Sequence, residues 1–117
     1  MIKCYVINLS RRKDRLEKIR KHLSSLKLDF VRFEAIDYLK VSKERLMKNM
    51  DLRGPLGNIS DGDRACFQSH YKLWKHIHTK HNSPVLILED DVILSKNATK
   101  LFNCLNWIPN KTKIIKI

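Results

Sequence analysis

The chain has 117 residues, 43% hydrophobic and 31% charged, with a formal net charge of +12. That length and balance fit one globular domain that closes its own core, and they exclude a disordered tail or a disulfide-stapled mini-domain. No stretch approaches the ~18 apolar residues of a membrane span, and the apolar run at residues 4–9 is too short and wrongly flanked for a secretory leader, so a cytoplasmic place is expected.

Residues 3–9, KCYVINL, are β-branched and aromatic, and predict a buried strand. Ser10 is placed to cap a helix starting at Arg11, with Leu16, Ile19, Leu23 and Leu26 as its apolar stripe. Residues 30–36 predict a second strand, ending at Asp37. Ser42 opens a short helix bearing Leu46, Met47 and Met50. Residues 53–58 (RGPLGN) are the Gly/Pro-rich segment, a turn without the spacing of a phosphate-binding loop. A third helix is expected from near Ser60, with Asp63 completing a capping box and Cys66, His70, Leu73, Trp74 and Ile77 as its stripe. Residues 82–84 break it. Val85 to Leu88 is continuously apolar, the pattern of a central parallel strand covered on both faces. Residues 99–107 predict a short helix, and 113–117 the start of another strand. The order β-α-β-α-α-β-α-β argues for an open, mainly parallel α/β sheet with helices on both faces. Because the chain stops inside a strand, it is expected to be the first part of a longer protein, without an acceptor-binding C-terminal part.

In such sheets the ligand lies outside the carboxyl ends of the strands. Three polar groups fall there: Asn8 to Arg15, Asp37, and Glu89-Asp90-Asp91. Adjacent carboxylates at a dry strand end repel one another. A hard divalent ion is their natural counter-charge and can also bridge a diphosphate; a helix cap or solvated turn is the alternative. Arg11, Arg12, Lys13 and Arg15 can face phosphates at a helix start. A solvated basic face, or for Arg15 a salt bridge, competes with that reading. His70 lies on the apolar stripe beside Ser69, where a satisfied core histidine is the bland alternative. The two are not a nucleophile pair, because neighbouring helix positions point about 100° apart. Trp74 is expected in the core. Cys4, Cys66 and Cys104 show no paired or zinc-type spacing and are expected to be buried free thiols. The positive excess is heaviest in residues 1–50 and concerns partners rather than fold. Aromatic residues make up only 8% and do not interleave with the basic ones, which argues against nucleic acid as a partner.

Three blocks, in order, resemble glycosyltransferase family 25, the bacterial lipooligosaccharide galactosyltransferases with relatives among collagen-modifying enzymes. They are Tyr5-Val-Ile-Asn-Leu-x-x-Arg-x-Asp-Arg15, Gly62-x-x-x-Cys66-x-x-Ser69-His70-x-x-x-Trp74 and Leu86-Ile-Leu-Glu-Asp-Asp-Val92. The resemblance implies a GT-A-like nucleotide-sugar-binding fold and a UDP-sugar donor with Mn2+ or Mg2+. It also implies inverting transfer of a hexose, galactose first, to a lipooligosaccharide or other glycan acceptor. Carried over, Asp91 ligates the metal with Glu89 helping, while Glu89 and Asp90 contact nucleotide or ribose. Asn8, Arg12 and Arg15 line the donor pocket, with Ser69 and His70 beneath it. No motif supplies the catalytic base, and Asp37 is the candidate that position alone offers. Arg64 stands where the family has an apolar residue, so the start of the third helix is expected to differ. A membrane-linked acceptor would suit peripheral association of the basic helix with an anionic surface. An inactive fragment of such a transferase is the competing reading.

Overall fold

The computed structural model describes residues 2–51 and 58–117. The strand β1 (Lys3–Asn8) forms the middle of a three-stranded parallel sheet, flanked by β2 (Val31–Glu34) and β3 (Val85–Glu89). Every residue of β1 from Cys4 to Asn8 is buried. Alternation sends Cys4 and Val6 to one face, Tyr5 and Ile7 to the other. On the first face they join Leu86 and Leu88 of β3, Ile19 and Leu23 of α1 (Lys13–Ser25) and Phe102 of α4 (Ala98–Asn103). On the second they meet Leu73 of α3 (Asp61–Lys80), with Phe33, Ile77 and Ile87 packed alongside. Each large apolar side chain so enclosed contributes about 1.5–3 kcal/mol. Helices therefore cover both faces, as the order of elements predicts.

Several local expectations are corrected. The run from Val85 to Leu88 reads as a central strand, yet β3 flanks β1 in the register Lys3 to Val85 through Ile7 to Glu89. A continuous apolar run reports coverage of both faces and not the number of strand neighbours. Residues 30–36 pair as strand only over Val31–Glu34. The helix expected from Arg11 begins at Lys13, and its N-cap residue, Arg12, makes no side-chain cap. Ser10 lies two residues before that N-cap and turns to the sheet end, where its hydroxyl donates to Glu34 and accepts from Arg32 Nη2 at 3.1 Å. At the other end of α1 the chain closes in a Schellman turn: Lys27 N–H donates to Ser24 O at 2.9 Å and Leu28 N–H to Leu23 O at 3.0 Å. Lys27 takes the left-handed conformation there, with φ of 55°.

The short helix α2 (Lys43–Met47) starts as expected, with Ser42 Oγ accepting from Arg45 N–H at 3.3 Å and Leu46 buried. Met50 lies beyond its end. Ser60 and Asp63 form the expected capping box of α3. Arg64 does not disturb that start, since its guanidinium pairs with Asp61 one turn back at 2.8 Å. The buried face of α3 is rotated from the expected stripe: Ala65, Gln68, Ser69 and Leu73 are inside, whereas Cys66 is exposed and Trp74 is 41% exposed. Small residues face the strand ends there and let the helix approach, which leaves the indole at the surface against His70, ring centroids 6.1 Å apart. The helix expected over 99–107 covers Ala98–Asn103. Residues 113–117 form no strand, and Ile114 and Ile117 are 75% and 68% exposed. Of the cysteines only Cys4 is buried, its thiol pushed up to about 12 by burial; Cys66 and Cys104 are exposed. Of the turn expected at residues 53–58, all but residue 58 lies outside the described residues.

Candidate functional site

Parallel pairing brings the carboxyl ends of all three strands to one side of the sheet. There, with the first turns of α3, they enclose a cavity of about 190 Å³. Ile7 and Leu9 of the first strand end, Ala35 and Ile36 after β2, and Glu89 and Asp90 at the end of β3 line it, together with Arg15, Cys66, Ser69 and His70. This is where an open α/β sheet binds ligands.

Asn8 fixes the geometry from beneath. It is 2% exposed. Its amide nitrogen donates to Asp90 Oδ2 at 2.7 Å and to Arg12 O at 3.1 Å, and its oxygen accepts from Arg32 Nε at 2.9 Å. One side chain thus ties the ends of β1, β2 and β3 to the start of α1. With the amide fully used, Asn8 acts on the cavity through Asp90. Arg32, which sequence reasoning passed over, is the third member of this tether.

Arg15 reaches from the first turn of α1 across the carboxylates, with Nη1 3.2 Å from Asp90 Oδ1 and 3.4 Å from Asp91 Oδ2. The counter-charge that adjacent acids demand is supplied in part by this guanidinium. The side chain of Asp90 is 10% exposed and that of Asp91 57%. Asp91 and the half-exposed Glu89 therefore present carboxylate oxygens to solvent, the donor type that a hard divalent ion takes. Arg12 faces away into a bidentate pair with Asp14, at 2.9 and 2.7 Å. That pair lowers the Asp14 carboxyl to about 2.

Ser69 is 1% exposed and also spoken for: its hydroxyl accepts from Ile36 N–H at 2.9 Å and donates to Ala65 O at 2.7 Å. It pins the chain after β2 to α3. His70 Nε2 lies 3.1 Å from Glu89 Oε1, and Cys66 Sγ approaches the same oxygen at 3.7 Å. Among the described residues, Cys66, His70 and Glu89 are the group of three whose ligand atoms all lie within 4.8 Å of one another. The cysteines still show no paired or zinc-type spacing in the sequence, but the fold brings Cys66 beside His70 and Glu89. The available signal was the four-residue spacing of Cys66 and His70, which places both on one helix face.

Asp37 lies outside the cavity lining. It borders an adjoining cavity, where its carboxylate accepts from Arg11 Nε at 2.8 Å and from Leu39 N–H at 3.1 Å. Burial alone would raise its carboxyl, but the Leu39 amide and the Arg11 guanidinium outweigh that and hold it below the ordinary value.

Known proteins share much of this sequence. The model of "Glycosyltransferase family 25 (LPS biosynthesis protein)" matches residues 1–117. The lipooligosaccharide biosynthesis protein lic2B of Haemophilus influenzae is 34% identical over 111 residues, covering 93% of this chain and 41% of that protein. Procollagen galactosyltransferase 2 of Homo sapiens is 30% identical over 95 residues, 75% of this chain and 15% of its own length. The chain thus spans less than half the length of these relatives. The matched stretch holds all three strands and every residue that closes the cavity at their ends, and this chain belongs to glycosyltransferase family 25.

Proposed function

We propose that this chain forms the donor-binding part of a hexosyltransferase that takes a UDP-sugar, galactose first, and transfers the sugar to a lipooligosaccharide or another glycan. The observation that carries this reading is the cavity at the strand ends, with Arg15 held between Asp90 and Asp91. The names of the relatives support galactose as the sugar and a lipooligosaccharide as one acceptor class.

In an inverting transfer the acceptor oxygen bonds to the anomeric carbon while the bond from that carbon to the diphosphate oxygen breaks. The electron pair leaves with the diphosphate, and the acceptor proton passes to a base. The chain contributes on the leaving-group side. Arg15 brings positive charge to the cavity, where diphosphate oxygens gain charge as the bond breaks. Asp91 and Glu89 are the groups that would hold Mn2+ or Mg2+, with Asp90 held rigid by Asn8 for a ribose or nucleotide contact. When bound, such an ion neutralises the diphosphate as a Lewis acid. Asp37, held by Arg11 and Leu39, is assigned to shaping the loop after β2 and not to proton abstraction.

Titration calorimetry of UDP in the presence of Mn2+ tests the assignment. The parent chain should bind, and Asp91→Ala should weaken metal-dependent binding by at least about tenfold, or ~1.4 kcal/mol. Equal binding by the variant would overturn the role of Asp91.

A further inference from the structure

The cluster at the base of α3 has a donor set unlike that of the acidic strand end. Cys66 and His70 lie four residues apart on one face of the helix, and Glu89 ends the neighbouring strand β3. Their ligand atoms already lie within 4.8 Å of one another. In a tetrahedral zinc site, bond lengths of about 2.3 Å to sulfur and 2.0–2.2 Å to nitrogen and oxygen imply sulfur–oxygen edges of about 3.6 Å and nitrogen–oxygen edges of about 3.4 Å. Cys66 Sγ to Glu89 Oε1 is 3.7 Å, and His70 Nε2 to Glu89 Oε1 is 3.1 Å. Both separations fall within about 0.3 Å of a tetrahedron's edges. All three ligands stand on regular secondary structure that the capping box and the sheet hold in place, so little ordering remains to be done on binding.

We propose that Cys66, His70 and Glu89 form a site for a thiophilic divalent ion, Zn2+ or Co2+, which shares Glu89 with the hard-ion site at Asp91 but adds the thiol and imidazole that set its metal preference. All three residues line the cavity. A fourth coordination position is therefore open to water or to a phosphate oxygen, the arrangement of an accessible rather than a closed zinc centre. The protein supplies one sulfur, one nitrogen and one oxygen, a set that favours zinc or cobalt over magnesium. Burial and the neighbouring Glu89 keep the free thiol protonated by raising its pKa. Binding then displaces that proton to solvent as the sulfur becomes a thiolate ligand. The site stands on these three side chains whichever donor the cavity takes.

The test uses the 117-residue chain with Zn2+ or Co2+ alone, without nucleotide. Co2+ should give a thiolate-to-cobalt charge-transfer band in the near ultraviolet. Zn2+ should bind one per chain in calorimetry and bleach that band. Cys66→Ser and His70→Gln should each weaken Zn2+ binding by about 10–100-fold or more. Asp91→Ala and His81→Gln should leave it unchanged, the latter because His81 sits with Tyr5 on another part of the molecule. A parent chain that shows no thiolate band with Co2+ overturns the proposal, whatever the variants do. So does Zn2+ affinity that survives Cys66→Ser but is lost on Asp91→Ala or His81→Gln. Because Asp91→Ala is expected to lose Mn2+-dependent UDP binding while keeping Zn2+, failure of one site is distinguishable from failure of the other.

Discussion

Removing the Asn8 side chain would leave the buried Asp90 carboxylate short of a donor and Arg32 short of an acceptor. A stranded buried polar group costs about 1–3 kcal/mol, so Asn8→Ala should lower stability by about 3 kcal/mol in urea titration, and UDP affinity should fall with it as Asp90 loosens. A drop under about 0.5 kcal/mol, the range of ordinary surface changes, would show that the tether does not bear on the fold. Asp37 makes a prediction about acid. Its folded carboxyl lies below the ordinary value of 3.8, so on acidification the unfolded chain takes up the proton first. The stabilisation is complete well above that ordinary value and is lost as pH falls through the lower folded one. Asp37→Asn should therefore make stability less steeply dependent on pH below about 4, with little change in slope near neutrality. An unchanged acid limb in denaturant midpoints would contradict the Arg11 and Leu39 contacts.

Among the elements, α1 carries a correctable strain. Lys27 holds a left-handed φ of 55° at the position where a Schellman turn favours glycine. Lys27→Gly should stabilise the chain by about 1 kcal/mol, read as a rise in the thermal midpoint, while Leu28 keeps its buried contact with Leu23. A fall in the midpoint would mean that the lysine side chain does more at that turn than its backbone costs. The same helix shows where sequence reading succeeds and where it stops. Its stripe was legible because Ile19 and Leu23 repeat at helical spacing, and the capping box of α3 was legible because Ser60 and Asp63 make a local bond. The start of α1 was not, because Ser10 finds its partner, Glu34, on another strand, and no local pattern encodes that distance. Trp74 misled because its area suggests burial, whereas the face of α3 that meets the sheet is set by the small Ala65 and Ser69. At the site, the strand-end position of Glu89, Asp90 and Asp91 could be read directly. The pairing of Arg15 with two of them, and of Cys66 and His70 with the third, depends on how α1 and α3 lie across the sheet.

At the scale of the molecule the charge of +12 bears on partners. Lys13, Lys18, Arg20 and Lys21 are exposed along α1. Each basic residue near an anionic bilayer adds about 1 kcal/mol of attraction, about fivefold in affinity, screened over roughly 8 Å at physiological salt. Co-sedimentation should therefore rise with the anionic lipid content of vesicles and fall with salt, and Lys18→Glu with Lys21→Glu should weaken it at least fivefold. Equal binding to neutral vesicles would rule out this electrostatic attachment. Among the described residues no helix is long and apolar enough to cross a membrane. The central position of β1 also sets a timetable for synthesis. Of the three strands it leaves the ribosome first, and β2 can join it early, but its other edge must wait for β3, because Ile7 pairs with Glu89. At 5–20 residues per second that wait lasts roughly 4–16 s, during which an apolar strand with an open hydrogen-bonding edge is available to any neighbour. A ribosomal pause before residue 85 would prolong that exposure, so yield of this chain should depend on how quickly the stretch from α2 to β3 is translated and on chaperones that shield β1 until it is complete.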